Sequence, residues 1–296
     1  MKKLSVIVVA FNMARELPRT VQSLSPQLQQ GISADDYEII VVDNGSAEPV
    51  PQSVLSAWGA DVRCLQVEKP NKSPVAAVNL GLAEARGEVC GVIVDGARMV
   101  TPGLLARVLK ARNLREEPVI STVGFHLGPV HQSRSVAMGY EQKFEDFLLA
   151  SIDWAKDPYR LFVVSCYAGS SPRGWFGPTS ESNALFMLKQ TWEQLGGYDP
   201  AFELPGGGLC NLDIFRRALE LLPQNLIVLL GEGTFHQFHG GTSSNDEGSK
   251  WELFHREYQS IRGKNWEIPH VPVEYFGAVH PYSHDHLALS INALKG

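Results

Sequence analysis

YEIIVVDNGS, residues 37–46, carries an apolar, β-branched run into an aspartate, Asp43, and then into a turn of Asn44, Gly45 and Ser46. A run without polar alternation is the signature of a strand buried on both faces, as in a parallel sheet. Upstream, LSVIVVA at 4–10 has the same character, and the spacing of Leu17, Val21, Leu24 and Leu28 predicts a helix at about 14–29. Downstream, DVRCLQVE (61–68) and EVCGVIVD (88–95) read as further strands. SPVAAVNLGLAEA (73–85) reads as the helix between them, with Ser73 as N-cap and Pro74 at its first position. This alternation specifies an α/β fold, a mostly parallel doubly wound sheet flanked by helices, with ligands at the carboxyl ends of the strands. Asp43 and Asp95 both stand at such ends.

Beyond residue 100 the pattern loosens. Residues 104–115 are expected to be helical and PVISTVGFHLG (118–128) a strand. The segment 140–182, with Trp154, Tyr159, Tyr167, Trp175 and several glycines, has little period and is expected to form loops over a cleft. SNALFMLKQTWEQLGGYD (182–199) reads as a strand and a helix closed by Gly196 or Gly197. NLDIFRRALEL (211–221) reads as a helix, NLIVLLGEGTFHQFHGG (225–241) as a strand with a glycine-rich turn, and 247–262 and 284–294 as helices.

The chain has 296 residues, 44% hydrophobic and 20% charged, with a net charge of −6 and no basic block. That balance argues against a duplex nucleic acid partner. Cys64, Cys90, Cys166 and Cys210 are scattered, with no C-x-x-C pair, which fits reduced thiols in a cytoplasmic protein. MKKLSVIVVAFN begins like a signal peptide, yet Asn12 and Arg15 cut the apolar run short, so it is read as a core strand. No stretch approaches the roughly twenty apolar residues of a transmembrane segment.

VIVVAFN, YEIIVVDNGS, NKSPVAAVNLGLAEARGEV, VIVDGARMVTPGLL, ESNALFMLKQTWEQLGGYDPAF and GTFHQFHGGTS occur in the order seen in family 2 glycosyltransferases with the GT-A fold, and the chain resembles that family over roughly residues 4–245. The resemblance implies a GT-A domain at 1–245, with a nucleotide-binding half at about 1–100 and an acceptor half at about 101–245. A C-terminal helical extension, 246–296, would follow. It implies transfer of a sugar from a nucleotide-sugar donor, UDP-linked, to a saccharide or other hydroxyl acceptor, as in polysaccharide biosynthesis. Asp43 would accept a hydrogen bond from a uracil-type ring N–H, with Ala10, Phe11 and Asn12 lining the base; the competing reading is that Asp43 and Asn44 cap a turn. Asn79 and Gly81 match the family's N-x-G on a helix facing the nucleotide, where a small-residue helix otherwise serves to pack close to the sheet. Val78 stands where the family often has a basic residue.

In the family, two aspartates separated by one residue hold Mn²⁺ or Mg²⁺ against the diphosphate. Here Asp95 is followed by Ala97, so Asp95 is the one acid available, and Arg98 compensates by pairing with a phosphate. A histidine after the last strand supplies a third ligand in many relatives; His239 is the expected one, ahead of His236, with surface placement as the alternative. Gly240, Gly241, Thr242 and Ser243 would form a loop closing over the ligand. A mixed Asp, His and diphosphate site suits Mn²⁺ at least as well as Mg²⁺.

The acidic pair that supplies a catalytic base in inverting members aligns with Cys210 and Asn211 in PGGGLCNLDIFRRA. An amide takes no proton, so Asn211 marks the catalytic position while Asp213 or Glu203 would act as base from a shifted one. Two alternatives stand beside this. GGLCNLDIFRR also resembles the G-G-E-N-L-E-I-x-F-R stretch of retaining polypeptide N-acetylgalactosaminyltransferases, which need no such base, and the chain could bind a donor without turnover. Glu181 and Asn183 precede a strand that carries sugar contacts in the family, and Trp175 is the aromatic residue expected to stack on an acceptor. A nucleotidyltransferase of the doubly wound class would need a glycine-rich phosphate loop after the first strand, and AFNMARELP has none.

Overall fold

A computed structural model of the protein describes residues 2–130, 134–135, 138–239 and 247–295, the side chains of 247–249 excepted. In the first third the order is β1 (Leu4–Ala10), α1 (Glu16–Ser23), β2 (Tyr37–Asp43), α2 (Gln52–Leu55), β3 (Val62–Gln66), α3 (Val75–Glu84) and β4 (Val89–Ile93). There follow β5 (Arg98–Val100), α4 (Leu104–Ala111), β6 (Val119–Leu127), α5 (Gln142–Ile152), β7 (Ser165–Tyr167), β8 (Ala184–Leu188) and α6 (Lys189–Leu195). The chain continues through α7 (Cys210–Leu221), β9 (Leu226–His236), α8 (Glu247–Arg262), β10 (Val273–Gly277) and α9 (His284–Ala293).

The strands form one sheet in the order β10-β9-β6-β8-β4-β1-β2-β3, with β5 added to β9 and β7 to β6. Pairings β1–β2, β1–β4, β2–β3, β6–β9 and β9–β10 are parallel. β8 runs antiparallel between β4 and β6, and its pairing of Ala184 with Ile93 brings the turn after β4 and the loop before β8 to the same edge. Every residue of β1 and β2 is buried, which is why neither shows polar alternation.

A helix layer covers each face. On one side Val75, Ala77, Val78 and Leu82 of α3 pack on Ile7, Ile40 and Val42. A methyl group at Gly81 would lie 2.5 Å from Ile7 Cγ2, so the glycine is what lets α3 lie this close to the sheet. On the other side Leu17 and Val21 of α1, with Leu104, Leu105 and Val108 of α4, pack on Val6, Val8 and Ile93.

Three elements differ from the sequence expectation. α1 is shorter than 14–29, ending at Ser23 before a turn at Ser25 and Pro26. The span 140–182 contains a helix, α5, hidden from periodicity because Phe144 and Phe147 point outward, 45% and 66% exposed. Residues 247–295 are not helices alone: VEYFG adds strand β10 to the edge of the sheet, and α9 is tied back by Tyr167, whose hydroxyl donates to His286 O at 2.9 Å. Among the described residues no helix is long and apolar enough to cross a membrane.

Candidate metal and nucleotide site

Asp95 sits in the turn that follows β4. Its Oδ1 accepts the Ala97 N–H at 3.0 Å and its Oδ2 accepts Arg98 Nε at 3.0 Å. Strand register gathers the remaining groups. β5 pairs Arg98 with His236 at the end of β9, and β6 places His126 opposite the same histidine on its other side. Gln237 N–H donates to Ala97 O at 2.7 Å and fixes the chain as it leaves β9. His239 then turns back, its Nε2 3.2 Å from His236 Nε2, while His236 Nε2 lies 3.7 Å from Asp95 Oδ2. Ligand atoms of Asp95, His236 and His239 all fall within 4.8 Å of one another.

The protonation states suit a cation. Burial alone would raise the Asp95 carboxyl, but the Arg98 guanidinium, the two histidines and the Ala97 N–H outweigh it and hold the group well below the usual carboxylate range. Burial pushes His236 well below its ordinary value against the pull of Asp95, which leaves a neutral imidazole near neutral pH. An ionised oxygen donor beside the neutral His236 imidazole fits a divalent ion of the Mn²⁺ or Mg²⁺ kind, with the nitrogen share favouring Mn²⁺. Ala97, in the position of a second acid, is fully buried in the core.

The base-binding end lies across β1. Asn44 N–H donates to Ala10 O at 2.9 Å, joining the two strand ends. Asn12 adopts a left-handed φ of 53°. Its N–H donates to Ser46 Oγ at 2.8 Å, and its Oδ1 accepts the Ala47 N–H at 3.0 Å. Phe11 is 52% exposed at the tip. Asp43 Oδ1 caps the turn, accepting Gly45 and Ser46 N–H at 3.0 and 2.8 Å. Its Oδ2 has no hydrogen bond among the described residues and is the atom open to a ligand.

Several expected site residues are engaged elsewhere. Both ends of the Asn79 amide are used by one backbone residue, Nδ2 donating to Tyr198 O at 2.8 Å and Oδ1 accepting Tyr198 N–H at 2.9 Å. Asn79 thus buttresses the turn after α6. Asp213, expected as a shifted base, is 1% exposed and accepts from Arg217 Nε (2.8 Å) and from Arg262 Nε and Nη2 (2.6 and 2.7 Å). A carboxylate saturated by two guanidiniums is a structural anchor. The Glu203 side chain is exposed and Trp175 is fully buried, so Trp175 stacks on no acceptor. Asn211 stands half-buried in the first turn of α7 beside Cys210. The stretch Gly240–Ser243, expected to close over a ligand, lies outside the described residues.

His126 is the addition: no pattern in the sequence marks it, and register alone brings it to the site. Glu181 is half-buried; burial raises its carboxyl, the Arg98 guanidinium draws it back and Asp95 pushes it up again. Burial raises the Cys210 thiol, and the Glu181 charge raises it further. Glu181 precedes β8 at the edge of the sheet where β4 ends.

Residues 5–127 match the model for glycosyl transferase family 2. Poly(ribitol-phosphate) beta-N-acetylglucosaminyltransferase TarP of Staphylococcus aureus (strain N315) is 33% identical over 91 residues, 30% of this chain and 26% of that protein. The chain thus spans about a quarter of that relative's length. S. aureus TarS 1-349, crystallised with UDP-GlcNAc, superposes with a TM-score of 0.54 at 15% identity, covering 87% of this chain and 66% of that one. The mannosyltransferase PcManGT from Pyrobaculum calidifontis, crystallised with GDP-Man and Mn²⁺, gives a TM-score of 0.50 at 13% identity, covering 99% of this chain and 70% of that one. Motif order, sheet topology and these matches agree on the GT-A fold, and residues 5–127 carry the match to glycosyl transferase family 2.

Proposed function

We propose that the protein transfers a sugar from a nucleotide-diphosphate donor, UDP-linked, to a hydroxyl acceptor with the help of a divalent cation. The observation that carries this reading is the meeting of Asp95, His236 and His239 at the carboxyl ends of β4 and β9, on the same edge as Asp43. Asp43 Oδ2 would take the ring N–H of the base, and the Asn12 loop would bound it. Asp95, His236 and His239 would hold the cation, which neutralises charge growing on the leaving diphosphate when bound. Arg98, now on Asp95, is placed to swing its guanidinium to a phosphate oxygen. With Asp213 engaged by arginines, Glu181, in the loop before β8 at the edge where β4 ends, would accept the acceptor's hydroxyl proton.

The names of similar proteins support the donor class: TarP is a transferase of N-acetylglucosamine, and TarS was crystallised with UDP-GlcNAc. A second reading, donor binding without transfer, draws on the same locked Asp213 and on the buried Cys210 that replaces a family acid. Nucleotide release from a panel of UDP- and GDP-sugars, with polyol and saccharide acceptors and with Mn²⁺ or Mg²⁺, tests both. Release of UDP that is lost in Glu181→Gln supports transfer. Binding of UDP-sugars without release under any condition supports the second reading, and preference for GDP-sugars would overturn the donor assignment.

A further inference from the structure

Glu145 is a carboxylate with no exposure, buried beside the site yet part of none of the chemistry above. It lies on α5, and both of its oxygens are occupied. Oε1 accepts Arg15 Nη2 at 2.5 Å, while Oε2 accepts the Phe238 N–H at 2.8 Å and the Tyr140 hydroxyl at 3.2 Å. Arg15 also reaches the other end of the same residue, its Nη1 donating to Phe238 O at 3.4 Å. One buried ion pair therefore grips both backbone groups of the residue immediately before His239.

The grip is reinforced on either side. Gln237 Nε2 donates to Glu16 O at 3.1 Å and to Thr20 Oγ1 at 3.3 Å, both on α1. Arg15 is held in turn by Glu16 at 3.3 Å and Asp146 at 3.6 Å. Arg15 follows the Phe11–Asn12 tip closely, so the same guanidinium joins the base-binding loop to the histidine segment. A buried charge is retained at a cost unless it is fully paired and hydrogen-bonded. Here both Glu145 oxygens are hydrogen-bonded, and the groups they order are main-chain atoms next to a proposed cation ligand.

We infer that Arg15 and Glu145 form a clamp that presets the Phe238 peptide, so that His239 is aimed at the cation before the nucleotide arrives. Both are positioning residues; neither touches donor or cation. The inference rests on the Asp95–His236–His239 reading of the site. Removing outer partners of a cation site commonly weakens cation affinity by about tenfold, and loss of the clamp is expected to act on the phosphate end while sparing the base end.

The test compares uridine, UDP and UDP with Mn²⁺ by titration calorimetry in wild type, Glu145→Ala, Glu145→Gln and Lys143→Ala. In Glu145→Ala, UDP with Mn²⁺ should weaken about tenfold while uridine is unchanged. Glu145→Gln keeps an acceptor for the Phe238 N–H and should recover part of the loss, which keeps the test alive if the alanine variant folds poorly. Lys143→Ala, an exposed position on the same helix, should match wild type. Equal weakening of uridine and of UDP with Mn²⁺, or no change in either, overturns the clamp. Absence of any Mn²⁺ effect on UDP in wild type would instead overturn the cation reading on which it rests.

Discussion

Replacing Asp213 with alanine removes the acceptor for three hydrogen bonds, from Arg217 Nε at 2.8 Å and from Arg262 Nε and Nη2 at 2.6 and 2.7 Å. Two guanidiniums would be left facing one another across a cavity. Breaking a fully buried pair by deleting one partner costs several kcal/mol, but both arginine side chains here are about one-fifth exposed. Water reaches them, and Arg262 keeps Asp199 at 2.8 Å while Arg217 keeps the Leu195 and Gly197 carbonyls at 2.7 Å each. The expected loss is therefore about 2–3 kcal/mol. At roughly 2–3 °C per kcal/mol for a chain of this size, Tm should fall by about 4–9 °C. Below that temperature UDP affinity should be unchanged, because the partners of Asp213 are Arg217 and Arg262 and not Asp95, His236 or His239. Differential scanning calorimetry and UDP titration on Asp213→Ala and Asp213→Asn decide the matter. A variant with wild-type Tm that has lost turnover would make Asp213 a catalytic base after all and refute the reasoning.

Asp43→Asn retains Oδ1 for the Gly45 and Ser46 N–H groups, so the turn should survive while the ligand-facing oxygen becomes a donor. Uridine and UDP should weaken by the same factor, about tenfold for one charge-assisted hydrogen bond, as read by calorimetry; a loss confined to UDP would move Asp43 to the phosphates. Gly81→Ala places a methyl 2.5 Å from Ile7 Cγ2 and should cost about 1–3 kcal/mol by overpacking; an unchanged urea midpoint would contradict the packing described. Burial lowers the pKa of His286, so the unfolded chain takes the proton first. The stability contributed by His286 is present above its unfolded value of about 6.5 and is lost as pH falls. The drop in Tm between pH 7.5 and pH 5.5 should accordingly be smaller in His286→Asn than in wild type, and equal drops would remove His286 from the acid sensitivity.

The parallel half of the fold was legible because β1 and β2 bury every residue, so each run stays apolar up to the aspartate or turn that ends it. Asp43 and Asp95 were legible for the same reason: each interrupts an apolar run at a strand's carboxyl end. α5 was not, since its outward Phe144 and Phe147 erase the polar face that periodicity needs. The engagement of Asn79 and Asp213 was hidden for one reason. Tyr198 is 119 residues from Asn79 and Arg262 is 49 from Asp213, so the partners that occupy these side chains cannot be seen locally. His126 enters the site by its pairing with His236 across β6 and β9, a register that no linear motif encodes.

The central claim is that Asp95, His236 and His239 bind a divalent cation together with the nucleotide diphosphate. Electron paramagnetic resonance of Mn²⁺ tests it without requiring turnover, because the signal of the free aquo ion vanishes on binding. In the presence of UDP, wild-type protein should deplete free Mn²⁺ in proportion to protein added, beyond the depletion caused by UDP alone. Asp95→Asn and the double variant His236→Ala/His239→Ala should leave the signal at the level of UDP alone. A wild-type titration that matches UDP alone, or variants that deplete Mn²⁺ as wild type does, would contradict the account.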